Sequence, residues 1–209
     1  MQPGTEPQLP GAERPKLIVV AHDVRSLANV GALFRTCDGA GVSELVLSGF
    51  TGTPPDRRID KVALDAVGMV PWRAAPELDD LEAVFRDRFV VVLEQDERAE
   101  RPATLQLPPD RDVVLVACEE LFGAGDWLRE RADALLELPM RGRKDSLNVS
   151  MAAGIAMYSI AERMWGTDEG DLASRQDRPP VRDGILTRGI TQGESPGEPR
   201  PAMLGTRLN

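Results

Sequence analysis

The sequence predicts an α/β domain in which helices flank a mostly parallel sheet. Short apolar runs rich in valine, isoleucine and leucine recur along the chain, and they are continuous rather than alternating. Such runs are typical of strands that are covered on both faces, as in parallel sheets. Segments with apolar residues at helical spacing lie between the runs, and this alternation favours the same class.

Five apolar runs predict strands, and a shorter stretch at 70–72 (VPW) predicts an edge strand. The five runs are 16–21 (KLIVVA), 44–49 (ELVLSG), 89–94 (FVVVLE), 112–118 (DVVLVAC) and 134–140 (ALLELPM). Because ligand sites in parallel sheets lie beyond the carboxyl ends of the strands, the residues that follow these runs carry most of the functional information.

The first predicted helix covers residues 29–41, where apolar residues recur at i, i+3, i+4 and i+7. Asn29 is a candidate N-cap for this helix. Gly39 or Gly41 can end it, because glycine readily adopts the left-handed conformation of a helix C-cap.

Two further helices are predicted over 77–88 and 146–165. The apolar face of the earlier one consists of Leu78, Leu81 and Phe85. Asp145 or Ser146 can cap the later one, whose free N–H groups would then face a ligand.

The length of 209 residues allows one substantial domain with tails. We expect a flexible N-terminal tail over 1–15, a folded domain over 16–165 and an extended or disordered tail over 166–209, since both ends are rich in proline and polar residues. No run of apolar residues is long enough for a membrane span, and the first residues lack the pattern of a secretory signal.

Cys37 and Cys118 each lie inside an apolar stretch and have no metal-ligand spacing. We therefore predict reduced core thiols in a cytoplasmic protein and no metal site. The single histidine, His22, has no evident partner in the sequence, so we interpret it as a structural or surface residue rather than a catalytic base.

The net charge of −9 argues against a general nucleic-acid binder, because phosphate contacts need positive charge. It leaves room for a local basic patch. Two clusters qualify, namely Arg57, Arg58 and Lys61, and Arg141, Arg143 and Lys144.

The common nucleotide and nucleophile motifs are absent from the sequence: it has no GxGxxG after the first strand, no GxxxxGK[ST] and no GxSxG. What remains are three loops at strand ends. They are 23–37 (DVRSLANVGALFRTC), 117–126 (ACEELFGAGD) and 138–150 (LPMRGRKDSLNVS).

Taken together and in this order, the three loops resemble the SpoU/TrmH family of the SPOUT superfamily, the trefoil-knotted RNA ribose methyltransferases. The family's first motif has an asparagine, then Gly-Ala, then Arg-Thr, and residues 29–36 (NVGALFRT) fit it. Its third motif, Pro-Met followed by Ser-Leu-Asn-Val-Ser, is matched almost fully by 138–150. The stretch 61–72 is similar to a family turn that usually reads alanine-leucine-glycine-alanine.

The second motif departs from the family pattern. It normally reads Gly-Asn-Glu, whereas this chain has Ala117, Cys118 and Glu119. The alanine adds a Cβ where the backbone approaches the cofactor, and the cysteine removes an amide that both donates and accepts hydrogen bonds. We expect weaker cofactor binding or a different substrate.

The resemblance implies a C-terminal trefoil knot (the SPOUT fold), a homodimer and S-adenosyl-L-methionine bound in the knot. Met140 and Leu147 would flank the adenine. The full set of cofactor-binding residues that it implies is Leu93, Glu94, Ala117, Cys118, Glu119, Gly123, Leu138, Met140, Leu147 and Asn148.

Arg35 is the catalytic residue that the resemblance implies. Since arginine is a poor proton acceptor, we expect it to orient the target phosphate and stabilise alkoxide charge. Asn29, Glu119, Ser146 and Asn148 would form the polar shell around it. The implied RNA contacts are Arg35, Arg57, Arg58, Arg141, Arg143 and Lys144.

The sequence therefore predicts RNA ribose 2′-O-methylation. With no separate N-terminal RNA-binding domain in the folded region, we expect tRNA rather than rRNA as the substrate. Two alternatives stay open. One is a non-catalytic RNA-binding or assembly protein on the same scaffold, and the other is a methyltransferase that acts on a small molecule.

Overall fold

The central sheet is entirely parallel in the part of the chain that this computed structural model describes, residues 14–118 and 125–166. Six strands pair there in the order β3-β2-β1-β5-β4-β6. Their bounds are β1 Leu17–His22, β2 Glu44–Ser48, β3 Trp72–Ala75, β4 Phe89–Leu93, β5 Val113–Cys118 and β6 Ala134–Leu136. The predicted α/β class with a mostly parallel sheet is confirmed.

Helices cover both faces of the sheet. In the described residues they are α1 Leu27–Ala40, α2 Arg57–Ala63, α3 Leu78–Phe85, α4 Gly125–Arg131 and α5 Val149–Trp165, with a 3-10 turn at Ala66–Gly68. The buried residues of α1, α2 and α5 pack on one face, and those of α3 and α4 pack on the other.

The two cores explain why the strands read as continuous apolar runs. In β1, Leu17 and Val19 point into the core beneath α1 and α5, whereas Ile18 and Val20 point into the opposite core. All six residues of β5 are buried, as expected for a strand between two others with helices on both sides.

The strand predicted over 134–140 is shorter than expected and ends at Leu136. Pro139 lacks an N–H group for a ladder hydrogen bond, which favours an early end. The predicted edge strand at 70–72 lies at the edge, but it begins at Trp72 and extends to Ala75.

Two helices were not predicted from the sequence, because α2 and α4 have only seven residues each and bury few apolar side chains. The expected apolar face of α3 was wrong at one position. Leu78 is 51% exposed because it occupies the first turn, while Leu81 and Phe85 are buried as predicted.

The helix caps differ from those expected. Ser26, not Asn29, caps α1, and its hydroxyl accepts the N–H of Asn29 at 3.4 Å. Asn148, rather than Asp145 or Ser146, caps α5, and its Oδ1 accepts the N–H of Ser150 at 3.0 Å. A predicted capping residue is displaced in both cases, because the helix begins a few residues from where the apolar spacing indicates.

Glycines let α1 approach its neighbours closely. A Cβ on Gly31 would lie 2.6 Å from the carbonyl oxygen of Ile59 in α2, a distance that real Cβ atoms do not tolerate. A Cβ on Gly154 of α5 would lie 3.2 Å from Cγ2 of Thr36 in α1. Gly41, with φ of 72°, ends α1 as one of the two predicted terminators.

The predicted tails fall almost wholly outside the described residues. The predicted site residues Glu119 and Gly123 also lie outside them. Within the described residues, no helix combines the length and apolar character that a membrane span requires.

Candidate active site

A cleft opens at the carboxyl ends of β4, β5 and β6. It has an empty volume of about 710 Å³, which includes the open solvent at its mouth. Its apolar lining comprises Leu93, Leu136, Leu138, Met140, Leu147, Val149 and Ala152. Its other lining residues are Glu94, Gln95, Cys118, Glu137 and Ser146.

The composition of the cleft defines the ligand that it suits. Leucine, valine and methionine side chains provide contact for a flat apolar ring, and Glu94 and Glu137 provide negative charge. This lining is compatible with a ligand that combines an aromatic ring with a cationic group, and Arg129, whose Nη2 lies 3.7 Å from Oε2 of Glu94, offsets part of the negative charge.

Cys118 contributes a neutral thiol to the cleft. Its pKa is raised to about 12, mainly by burial and further by the carboxylates of Glu94 and Asp23. Because the thiol stays protonated at neutral pH, it lacks the thiolate needed for nucleophilic chemistry.

Asn148 links the third loop to the first. Its Nδ2 donates to Oδ1 of Asn29 at 3.1 Å, while its own Oδ1 accepts both the N–H and the hydroxyl of Ser150. The side chain thus caps α5 and at the same time fixes the first turn of α1 beside the cleft mouth, since Leu147 and Val149 on either side of Asn148 line the cleft.

Gln95 links the end of β4 to the basic turn. Its Nε2 donates to the carbonyl oxygen of Asp145 at 2.6 Å. Both Gln95 and the neighbouring Ser146 line the cleft. The turn that carries Arg141, Arg143 and Lys144 is therefore held against the mouth of the cleft.

Arg35 is exposed on α1 and does not line the cleft. Among the described residues it has no hydrogen-bond or ion-pair partner. One chain by itself therefore does not bring this guanidinium to the cleft.

The basic residues on α2 differ from one another. Arg58 forms a two-pronged ion pair with Asp56, and the hydrogen bonds from Arg58 lower the pKa of that carboxyl to about 2. Arg57 is exposed and has no ion-pair partner within the described ranges. Arg57 is thus more available to a phosphate than Arg58.

His22 lies at the carboxyl end of β1. Its Nδ1 lies 2.8 Å from Oγ of the buried Ser48, so it joins the ends of β1 and β2. Across residues 14–118 and 125–166, no group of three or more potential ligands is placed to hold a metal ion.

The SpoU rRNA methylase family matches residues 16–158 of the sequence, more than half of the chain. This chain belongs to that family. The match covers the sheet and all three loops, and it confirms the resemblance seen in the motifs.

The chain is similar in sequence to curated SpoU-family enzymes. It is 28% identical over 163 residues to the 23S rRNA (guanosine-2'-O-)-methyltransferase RlmB of Bordetella pertussis, covering 78% of this chain and 66% of that protein. It is 30% identical over 155 residues to the protein of the same name from Pseudomonas aeruginosa, covering 74% of this chain and 62% of the relative. The chain thus spans slightly under two thirds of these relatives.

Solved structures of SpoU-family members share the fold. The AdoMet-bound rRNA methyltransferase from Sinorhizobium meliloti superimposes with a TM-score of 0.67 at 28% identity, covering 73% of this chain and 57% of that one. The A. aeolicus TrmH/SpoU tRNA modifying enzyme gives a TM-score of 0.64 at 27% identity, covering 81% and 84%.

The structure brings most of the expected cofactor residues of this SpoU-family chain to one cleft. Those that line it are Leu93, Glu94, Cys118, Leu138, Met140 and Leu147, together with Ser146 from the expected polar shell. Ala117 is fully buried and directly precedes Cys118, which lines the cleft. A contact between Ala117 and a ligand would therefore come from the backbone of Ala117.

Several lining residues were missed from the sequence. Glu137 and Val149 adjoin predicted site residues, so their neighbours were a usable signal. Gln95 likewise adjoins the predicted Glu94, but its hydrogen bond to Asp145 had no signal, because the two residues are 50 positions apart and the pairing depends on the fold.

Proposed function

We propose that this chain is an S-adenosyl-L-methionine-dependent RNA methyltransferase that acts on a ribose 2′-hydroxyl. The observation that carries the proposal is the cleft at the ends of β4, β5 and β6, whose mouth is joined to α1 through Asn148 and Asn29. The printed names of the rRNA relatives and the AdoMet-bound neighbour support the same chemistry.

The cleft fits the cofactor. Leu138, Met140 and Leu147 would contact the adenine, and Glu94 and Glu137 would attract the cationic methionine end. When bound, S-adenosylmethionine supplies an electrophilic methyl group on its sulfonium. The neutral Cys118 thiol does not compete for that methyl group.

Arg35 would act on the RNA. A guanidinium presents rigid donors that match a phosphate, and it stabilises negative charge as the ribose hydroxyl loses its proton. Since arginine stays protonated, a phosphate oxygen or a water accepts that proton. Ser146, Asn148 and Asn29 would hold the hydroxyl in line with the methyl group.

We infer that the protein works as a homodimer. Met151, Ile155 and Tyr158 lie exposed along one face of α5, an arrangement typical of an interface. Tyr158 packs beside Gly39 of α1, the helix that carries Arg35. Pairing through this face would place Arg35 of one copy near the cleft of the other.

The dimer is tested by sedimentation and by complementation. Met151→Glu combined with Ile155→Glu should produce monomers, whereas Leu78→Glu, an equally exposed leucine on α3, should not. Mixing Arg35→Ala with Leu147→Arg, each inactive alone, should restore part of the activity. No recovery in a mixed dimer would show that Arg35 serves its own chain.

We also propose that the chain has a C-terminal trefoil knot. Family membership supports it, as does the position of α5, whose residues Ala153, Ala156 and Met157 share a core with β1, β4 and β5. An experimental structure of the whole chain would test it, because the path of the backbone between β5 and α5 decides whether the chain is knotted.

The class of RNA is an open part of the proposal. The relatives from Bordetella and Pseudomonas are named for 23S rRNA, which weighs against the expected preference for tRNA. The A. aeolicus tRNA-modifying enzyme is matched over 84% of its length, which keeps tRNA as a candidate. We also infer a reducing, cytoplasmic location, because Cys37 and Cys118 are free buried thiols.

The decisive experiment combines purified protein, labelled cofactor and total RNA from a strain that lacks the gene. Label should appear in alkali-resistant dinucleotides, whose position identifies the target nucleotide. Arg35→Ala should lower the rate by about 100-fold or more, and Arg35→Lys should not restore it. Arg86→Ala is the matched control and should retain the rate, because Arg86 is an exposed arginine that precedes β4, at the amino ends of the strands.

A non-catalytic RNA-binding role is favoured by one observation, the Ala117-Cys118 departure beside the cleft. That role requires RNA binding that survives Arg35→Ala and does not respond to the cofactor. Cofactor binding without label in any RNA pool would instead indicate a small-molecule substrate.

A further inference from the structure

Phe50 is the most exposed of the large apolar side chains in the described residues, at 81%. Burying a phenylalanine side chain contributes about 1.5–3 kcal/mol to folding, so this position gives up a gain that most phenylalanines obtain. The exposed ring thus contributes little to the stability of the single chain.

Hydrogen bonds to the ends of β1 and β2 fix the turn that carries Phe50. The N–H of Phe50 donates to Oδ1 of Asp23 at 2.8 Å, and the N–H of Thr51 donates to the carbonyl oxygen of Ser48 at 3.2 Å. The buried hydroxyl of Thr51 donates to the carbonyl oxygen of Ala21 at 2.8 Å. The ring thus projects into solvent from a fixed base.

Two unusual backbone conformations adapt this turn to its position. Gly49 has φ of 59°, and a Cβ there would lie 2.1 Å from Oδ1 of Asp23. Asp23 itself has φ of 56°, which is uncommon for a residue with a side chain. Both place the Asp23 carboxylate where it receives the Phe50 N–H.

The turn lies at the carboxyl ends of the strands, as the cleft does. It follows β2, which pairs with β1, which in turn pairs with β5, whose last residue Cys118 lines the cleft. Two strand spacings of about 4.8 Å separate β2 from β5. The turn that carries Phe50 therefore lies two strands from the β5 wall of the candidate site.

Exposed positive charge follows Phe50 in the sequence. Arg57 and Lys61 of α2 are exposed, and neither has an ion-pair partner in the described residues. Proteins that bind unpaired nucleotides combine exposed aromatic rings with cations, because the ring stacks on a base while the cations contact phosphates.

We propose that Phe50 stacks on an unpaired base of the RNA substrate, next to the nucleotide that enters the cleft. This inference rests on the proposed RNA methyltransferase function. Stacking needs a π-face on both partners, so the contact favours single-stranded loops or bulges over duplex RNA and depends little on base identity.

The test measures methyl transfer to total tRNA and to total rRNA at saturating cofactor. Phe50→Ala should raise the RNA concentration for half-maximal rate by about 10-fold, since one stacked base contributes about 1–3 kcal/mol. Phe50→Trp should stay close to wild type. Phe50→Leu should resemble Phe50→Ala because it keeps apolar area and loses the π-face. Met69→Ala, an exposed apolar residue that precedes β3, is the control.

Three outcomes overturn the stacking proposal. They are an unchanged RNA requirement in Phe50→Ala, full rescue by Phe50→Leu, and a change of oligomeric state in Phe50→Ala on sedimentation, which would assign the ring to a protein contact.

Cofactor titration by calorimetry separates this proposal from the function on which it rests. If wild type binds the cofactor and labels RNA while Phe50→Ala is unaffected, stacking alone fails. If wild type neither labels nor binds RNA, the function fails and stacking fails with it.

Discussion

The amide nitrogen of Asn148 lies 3.1 Å from the side-chain oxygen of Asn29, although the two residues are 119 positions apart in the chain. This hydrogen bond joins the N-terminal turn of α5 to that of α1. Asn148 also caps α5, so one side chain supports both the fold and the proposed active site.

Replacing Asn148 separates these two roles. Asn148→Ala should lower the free energy of unfolding by about 1 kcal/mol through loss of the cap, and it should also lower methyl transfer. Asn148→Ser keeps a capping oxygen but is too short to reach Asn29, so stability should persist while transfer falls. Urea unfolding and turnover on RNA measure the two effects, and normal turnover in Asn148→Ser would contradict a role for the Asn29 link.

Gln95→Ala should weaken cofactor binding several-fold with little effect on folding. It removes the hydrogen bond to Asp145 that holds the basic turn against the cleft. Calorimetric titration with S-adenosylmethionine measures the change. Gln106→Ala is a matched control, because Gln106 also donates to a carbonyl oxygen, that of Thr104, but does not line the cleft. Equal affinities in both variants would rule out the positioning role.

Gly31→Ala should destabilise the protein by about 1–3 kcal/mol, because the new methyl group would push α1 away from Ile59 and Val62. Alanine is the better helix former by about 1 kcal/mol, so a loss of stability isolates the packing effect. Thermal unfolding measures it. At Gly68 an added Cβ has no neighbour within 4 Å, so Gly68→Ala should be nearly neutral.

Asp65→Gly should raise the free energy of unfolding by about 0.5–1 kcal/mol. Asp65 has φ of 69°, a left-handed conformation that costs energy for a residue with a Cβ. Asp79→Gly in the first turn of α3 is the control and should destabilise. A lower melting temperature for Asp65→Gly would mean that the aspartate side chain stabilises the turn.

Raising the pH above 9 should destabilise the protein through Cys118. In the unfolded chain the thiol ionises near its ordinary pKa of 9.0, whereas in the folded protein the pKa is about 12. The folded state therefore retains the proton longer, and stability falls as the pH rises from about 9 to about 12. Urea unfolding at pH 8 and pH 10 should show a loss about 1 kcal/mol larger for wild type than for Cys118→Ala. Equal losses would mean that folding does not raise the pKa of the Cys118 thiol.

Much of the fold was predictable because burial on both faces of a parallel sheet leaves a direct trace in the sequence. The runs at 16–21, 44–49, 89–94 and 112–118 each match an observed strand to within a residue or so. The short helices α2 and α4 were not predictable in the same way, because seven residues bury too few apolar side chains to produce a helical period.

The sequence by itself determined the family, the strand ends that form the cleft and most of the residues that line it, because these are properties of local segments. The tertiary structure decided which segments meet. It paired Asn148 with Asn29 and Gln95 with Asp145. It left Arg35 outside the cleft of its own chain. It also left the side chain of Phe50 exposed while the Phe50 N–H donates to Asp23. The hydrogen bonds among these relationships join residues far apart in the chain, and only the folded backbone brings those residues within hydrogen-bonding distance.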